Sequence, residues 1–277
     1  MAKTKIDYRC SDCGWTTLKW SGQCGQCQAW GTIAEATQTT KAKAARIAVG
    51  HEARPITEVA VVTDGYQKTM VSEFDRVLGG GLVAGAAILL SGEPGVGKST
   101  LLLEVASRLA KSGKRVLYVS AEESASQVRL RAQRTNALSE NLYLAAETDL
   151  GHVLGQFEQV KPELMVVDSV QTISSDDIDG AAGMPAQVRE VASNLIRLAK
   201  QNSTPVILVG HVTKDGSIAG PRTLEHLVDV VCHFEGDRQT ALRFVRTLKN
   251  RFGPTDEVGC FEMTGEGIAE VIDPSAL

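Results

Sequence analysis

Apolar positions along this chain fall into two alternating rhythms. Residues 86–90 form an unbroken apolar run, after which Leu102, Val105, Ala106 and Leu109 recur at i, i+3, i+4 and i+7, one apolar face of a helix ending near Gly113. Residues 115–120 then read as a buried strand, and the alternation repeats: a helix from about Ser124, a strand at 142–145, and a helix holding Leu150, Val153, Leu154 and Phe157. A strand at 164–167 follows, then a helix with Val188, Val191, Ala192 and Leu195 in register, then a strand at 206–209. Such alternation predicts an α/β fold, a mostly parallel sheet with helices on both faces. Short segments at 229–235, 241–248, 258–263 and 268–272, separated by Gly-Asp and Thr-Gly-Glu-Gly turns, predict antiparallel hairpins that extend the sheet.

Before this pattern begins, residues 1–36 form a module of a different kind. Cys10, Cys13, Cys24 and Cys27 make two C-x-x-C knuckles ten residues apart, a spacing that lets four thiolates converge on one tetrahedral Zn²⁺. So short a stretch has no self-supporting core, so metal binding would supply most of its folding free energy. Two disulfides are the competing account, disfavoured in a reducing compartment. Trp15, Trp20 and Trp30 lie in or beside the module, placed either to cover the metal site or to stack on nucleic-acid bases. Residues 37–55 read as a linker: part of it carries Lys41, Lys43 and Arg46 with no acidic residue and no apolar face. The third segment, 56–277, is the alternating domain.

With 277 residues, 43% apolar and 22% charged, the chain has enough material for one large core plus this accessory unit. No apolar run approaches the roughly 18 residues of a spanning helix, and the first residues lack the apolar stretch of a secretory signal, so the expectation is a cytoplasmic protein with no membrane partner. A net charge of −4 neither requires nor excludes nucleic acid. Cys232 and Cys260 stand apart in apolar, strand-like settings and read as small core hydrophobes.

The clearest chemistry is Gly92-Glu93-Pro94-Gly95-Val96-Gly97-Lys98-Ser99, followed by Thr100. It matches the phosphate-binding pattern G-x-x-x-x-G-K-[ST] and sits between an apolar strand and an amphipathic helix. Its glycines let backbone N–H groups approach a polyphosphate, and the helix N-terminus adds partial positive charge. Lys98 is placed for the β- and γ-phosphates and Ser99 for Mg²⁺. A plain glycine-rich turn would have no use for Lys-Ser at the helix start. Asp168 ends an apolar strand, as the carboxylate of a Mg²⁺ shell does, or else caps the turn at Ser169. Glu122 and Glu123 follow another strand, and a carboxylate there polarises water for attack on the γ-phosphate; Glu122 is the choice for that role. Polar loops at 174–185 and 213–222 follow strands on the same side. The second carries the basic residues Lys214 and Arg222, whereas the first is acidic. His211 reads either as a γ-phosphate sensor or as an ordinary hydrogen-bonded histidine.

These residues, with Ser120-Ala121-Glu122-Glu123-Ser124, Val167-Asp168-Ser169-Val170-Gln171-Thr172, Gly210-His211-Val212-Thr213-Lys214 and Lys249-Asn250-Arg251-Phe252-Gly253, resemble the RadA/Sms family of bacterial DNA-repair ATPases. The resemblance runs almost end to end, and the last pentapeptide is its most specific carrier. It implies a RecA-like phosphate-loop NTPase core behind a zinc-ribbon-like module, with ATP, Mg²⁺ and Zn²⁺ as cofactors. It further implies a nucleoid-associated homo-oligomer, a hexameric ring, that binds single-stranded and branched DNA, works with a RecA-type recombinase and drives branch migration. By that resemblance Glu122 is the water-activating carboxylate, and the two polar loops face the ring's channel, where Lys214 and Arg222 of the second would contact DNA phosphates. Lys249 and Arg251 match cations that related rings offer to a neighbouring subunit's nucleotide; contact with DNA phosphates, or a basic strand end before a Gly-Pro turn, are the other readings. Family members continue into a domain resembling the Lon protease fold, and this chain stops near where that domain begins, which leads to the expectation of a truncated chain. A nucleotide-gated adaptor that binds DNA and a recombinase without being a motor is the alternative function, and a phosphotransferase acting on protein hydroxyls a third.

Overall fold

The computed structural model describes residues 8–35, 55–58, 65–211, 223–236 and 240–272. The chain divides into two compact units, Met1–Val61 and Val62–Leu277.

In the first unit, β1 (Tyr8–Cys10) pairs antiparallel with both β2 (Thr16–Thr17) and β3 (Ile33–Glu35). Its buried core is Cys10, Cys24 and Ile33, with Tyr8 and Trp15 packed alongside. The Trp15 ring closes over Gly25, where a Cβ would stand 2.9 Å from it. Trp20 and Trp30 are 65% and 74% exposed, so the covering role falls to Trp15 alone.

The second unit begins, after α1 (Ser72–Val77), with the alternation expected from sequence. In chain order follow β4 (Ala87–Gly92), α2 (Lys98–Lys111), β5 (Val116–Ser120), α3 (Ala125–Arg134), β6 (Leu142–Ala146), α4 (Leu150–Val160), β7 (Leu164–Asp168), α5 (Pro185–Asn202) and β8 (Val206–His211). Four antiparallel-paired strands close it: β9 (Val230–Gly236), β10 (Leu242–Asn250), β11 (Val258–Thr264) and β12 (Gly267–Glu270). The sheet order is β12-β11-β10-β9-β4-β8-β7-β5-β6. Strands from β9 to β6 run parallel, and β10 to β12 add the hairpins.

Alternate strand residues enter two different cores, which is why these strands read as continuous apolar runs. Ile88, Leu90, Val116, Tyr118, Val166 and Ile207 pack with α1, α2 and α3 on one face. Leu89, Leu117, Val119, Val167 and Leu208 pack with α4 and α5 on the other. Cys232 and Cys260 are buried in β9 and β11, and burial pushes the Cys232 thiol up to about 12, as befits an inert core side chain.

Helix ends are fixed locally. Ser124 and Gln127 form a capping box on α3, Asp149 Oδ1 accepts from His152 N at 2.9 Å to open α4, and Pro185 starts α5. The polar loop before α5 is held by a buried side chain: Gln187 Oε1 accepts from Ser175 N at 2.8 Å, and its Nε2 donates to the carbonyls of Ser175, Ile178 and Gly180. Among the described residues no helix is long and apolar enough to cross a membrane.

Candidate nucleotide site and metal centre

The C-terminal ends of β4, β5, β7 and β8 open on one crevice, the place where parallel sheets collect their chemistry. β4 runs directly into the phosphate loop, and α2 starts at Lys98. Two glycines there are geometrically required. At Gly92 a Cβ would stand 2.2 Å from the Phe234 carbonyl oxygen, and Gly97 adopts φ +115°, a conformation side chains disfavour.

Lys98 is 3% exposed, and its Nζ donates to the carbonyls of Gly92 and Glu93, both at 2.8 Å. Burial pushes its ammonium down to about 8, against the pull of Asp168 and Glu122. Asp168 is buried at the end of β7, and its Oδ2 accepts from Tyr118 Oη at 2.8 Å. Burial beside that carboxylate raises the Tyr118 phenol well above its ordinary value, so it stays a donor.

The two neighbouring glutamates face different ways. Glu123 pairs with Arg131 on α3. Glu122 turns to the crevice, where its Oε1 accepts from Ser169 Oγ at 2.5 Å and lies 3.1 Å from His211 Nε2. The His211 ring is at ion-pair distance from Glu122, and both its nitrogens are buried without an aligned hydrogen bond among the described residues. The His211 imidazole, then the Ser169 hydroxyl, hold the Glu122 carboxyl down to about 2. Gln171 ties the ends of β7 and β8 together, accepting from His211 N at 2.7 Å and donating to His211 O at 3.0 Å.

The structure therefore brings together Lys98, Glu122 and Asp168 with the loop from Gly92 to Ser99. Tyr118 joins them without any local motif to announce it, and Ser169 and Gln171 join them from the motif at 167–172, in which sequence reasoning assigns them no role of their own. Lys249 and Arg251 lie elsewhere. Asn250 is opposite Val230, which pairs with Ile88 at the start of β4, whereas Gly92 pairs with Phe234. Four residues of strand separate these levels, about 13 Å at roughly 3.3 Å per residue. Lys249 Nζ donates to the carbonyls of Glu225 and Val228 at 2.8 and 2.7 Å, and Arg251 Nη1 meets the buried Asp229 Oδ1 at 3.0 Å. Lys214 and Arg222 lie outside the described residues.

The four clustered cysteines fit a metal ion. Their sulfurs all lie within 4.8 Å of one another, with Cys10–Cys27 at 3.7 Å and Cys13–Cys24 at 3.6 Å. Four thiolates about 2.3 Å from a tetrahedral Zn²⁺ would be about 3.8 Å apart, whereas bonded sulfurs would be about 2.05 Å apart. The crevice likewise fits a polyanion: Lys98 is a buried cation whose hydrogen bonds, among the described residues, go to its own loop's carbonyls.

Comparison with known proteins agrees on both units. Residues 52–217 match the model of the AAA domain, and residues 8–35 that of the rubredoxin metal binding domain. The DNA repair protein RadA of Mycolicibacterium smegmatis is 54% identical over the whole of this chain and 61% of its own length. The RadA proteins of Mycobacterium tuberculosis and Streptococcus pyogenes are 53% and 47% identical, over 100% and 99% of this chain and 59% and 61% of theirs. The chain thus spans about three fifths of these relatives. A KaiC-like protein from Pyrococcus horikoshii shares the fold at a TM-score of 0.61 and 19% identity, covering 75% of this chain and 99% of its own. ATP with Mg²⁺ at the phosphate loop and Zn²⁺ at the four cysteines are the cofactors these two modules imply. The chain belongs to the AAA domain family, and along its whole length it is similar to proteins named DNA repair protein RadA.

Proposed function

We propose that this chain is the ATP-hydrolysing core of a DNA-repair motor, with a zinc module at 1–36, a linker at 37–55 and the ATPase domain at 56–277. It binds single-stranded DNA, drives branch migration of recombination intermediates as a hexameric ring in the cytoplasm, and works beside a RecA-type recombinase. One observation carries the reading: a buried Lys98 and a pinned Glu122 converge on a phosphate loop in which Gly92 and Gly97 are geometrically required. The relatives named as DNA repair proteins support the setting.

In this reading the backbone N–H groups of residues 92–99 cradle the phosphates and the α2 N-terminus adds its partial charge. Lys98 exchanges its two carbonyl partners for phosphate oxygens, and Ser99 and Asp168 hold Mg²⁺, with Tyr118 fixing the Asp168 carboxylate. A Mg²⁺ ion held by these residues would supply positive charge against the negative charge that develops on the phosphates. A carboxylate with a pKa near 2 is a weak base. Glu122 therefore acts chiefly by orienting water, with Ser169 and His211 setting its direction. Lys249 and Arg251 stand too far along the sheet to reach the phosphate loop of their own protomer, so their action on nucleotide is on a neighbour's.

The test is a labelled three-way DNA junction incubated with Mg²⁺-ATP. Extension of the heteroduplex by the protein, and none by Lys98→Ala, is expected. Tight ATP binding with no junction movement would favour the nucleotide-gated adaptor instead.

A further inference from the structure

The phosphate loop is braced by three strands on one side of the sheet, β9, β10 and β11. The Phe234 carbonyl of β9 abuts Gly92, and Met263 Sδ of β11 lies 3.0 Å from where a Cβ on Gly97 would stand. From β10, Arg243 Nε donates to the Val96 carbonyl at 3.0 Å. Its Nη1 donates to the Thr240 and Leu242 carbonyls at 2.9 and 2.7 Å, which fixes the guanidinium at the root of the strand. The facing strand leaves room for this side chain. Arg243 is opposite Gly236, where a Cβ would stand 2.2 Å from Arg243 Cδ and 2.8 Å from Nε.

Resting on the reading of this loop as the nucleotide site, the geometry points to Arg243 as its positioning residue, acting through the Val96 carbonyl to aim the loop's N–H groups at the polyphosphate. In a trans peptide the carbonyl and the next N–H point in opposite directions. Anchoring the Val96 carbonyl on β10 thus turns the Gly97 N–H away from β10 and toward the loop's interior. A loop that presents successive N–H donors to an anion gains affinity from being held in that shape beforehand. Gly236 takes part by leaving the path of the arginine open.

The test measures Kd for a fluorescent ATP analogue with Mg²⁺, and KM and kcat for ATP, in the wild type, Arg243→Ala, Arg243→Lys and Gly236→Ala. Loss of a hydrogen bond from a charged donor predicts that Arg243→Ala weakens Kd and raises KM about tenfold, with kcat within about twofold. Arg243→Lys keeps a cationic donor and recovers most of that loss; Gly236→Ala keeps the arginine but obstructs it and weakens Kd in the same direction. Should Arg243→Ala lose its thermal transition, Arg243→Lys and Gly236→Ala decide by their Kd values. Wild-type Kd in a folded Arg243→Ala, or in Gly236→Ala, overturns the positioning role, as does a fall in kcat at unchanged KM. A wild type that binds no nucleotide overturns instead the reading of the loop itself.

Discussion

Glu122 and Glu123 are neighbours in sequence with opposite surroundings, one held by Ser169 and His211 over the crevice, the other by Arg131 on α3. Replacing Glu122 by Gln should leave ATP binding within about threefold and lower kcat about 10²-fold or more, the range for a group aligned on the reacting water. Steady-state kinetics beside a binding titration check this, and an unchanged kcat would remove Glu122 from the chemistry. Lys98 sets a pH dependence whose sign is fixed by burial. Its folded value of about 8 lies below the ordinary lysine value, so the unbound protein carries a buried charge at lower pH and gains stability as pH rises through and above about 8. Polyphosphate favours the charged ammonium, so nucleotide affinity should move the other way, falling as pH climbs through about 8 with proton uptake on binding. Calorimetry at about pH 7 and pH 9, in buffers of different ionisation heat, reads both effects; equal affinities and no proton uptake would contradict the assignment.

At the scale of elements, the strands that carry the site are held by alternation between two cores. Leu102 on α2 is fully buried against the sheet, and Leu102→Ala should cost about 2–5 kcal/mol in chemical denaturation. An unchanged midpoint would deny that packing. The zinc module depends on a different source of stability, since its buried core comprises Cys10, Cys24 and Ile33. Chelation should release Trp15 from Gly25 and shift its fluorescence while the melting of the α/β unit stays put. Both elements were legible in sequence because their signals are contiguous: eight residues make the phosphate loop, and two knuckles make the metal centre. Buried strands announced themselves by apolar runs for the same reason. The Tyr118–Asp168 bond, the Gln187 staple and the Arg243–Val96 brace were not legible. Each joins residues that only the fold makes neighbours, 50 residues apart in the first case and 147 in the last. Glu122 is already the choice in sequence, but the partners that separate it from Glu123 lie on α3 and β8 and are visible only in the fold.

For the whole molecule, the sheet separates two kinds of chemistry. One end holds the phosphate loop, and β10 carries Lys249 toward the other, with Arg251 just beyond it, tied to Asp229 and to turn carbonyls. The proposed assembly, in which a neighbour's cations complete each site, is compatible with this spacing and predicts complementation. Lys98→Ala and Arg251→Ala, each depressed alone, should regain turnover when mixed, because some junctions then pair an intact loop with an intact arginine. No gain on mixing would confine Arg251 to its ion pair with Asp229. The central claim, that this loop grips ATP and cleaves it in response to DNA, is tested most directly by ATP turnover of the wild type and Lys98→Ala, with and without single-stranded DNA, at low and high salt. The account predicts turnover that rises with DNA, a rise that fades with salt as phosphate contacts are screened, and neither in Lys98→Ala. Turnover indifferent to DNA, or retained by Lys98→Ala, would contradict it.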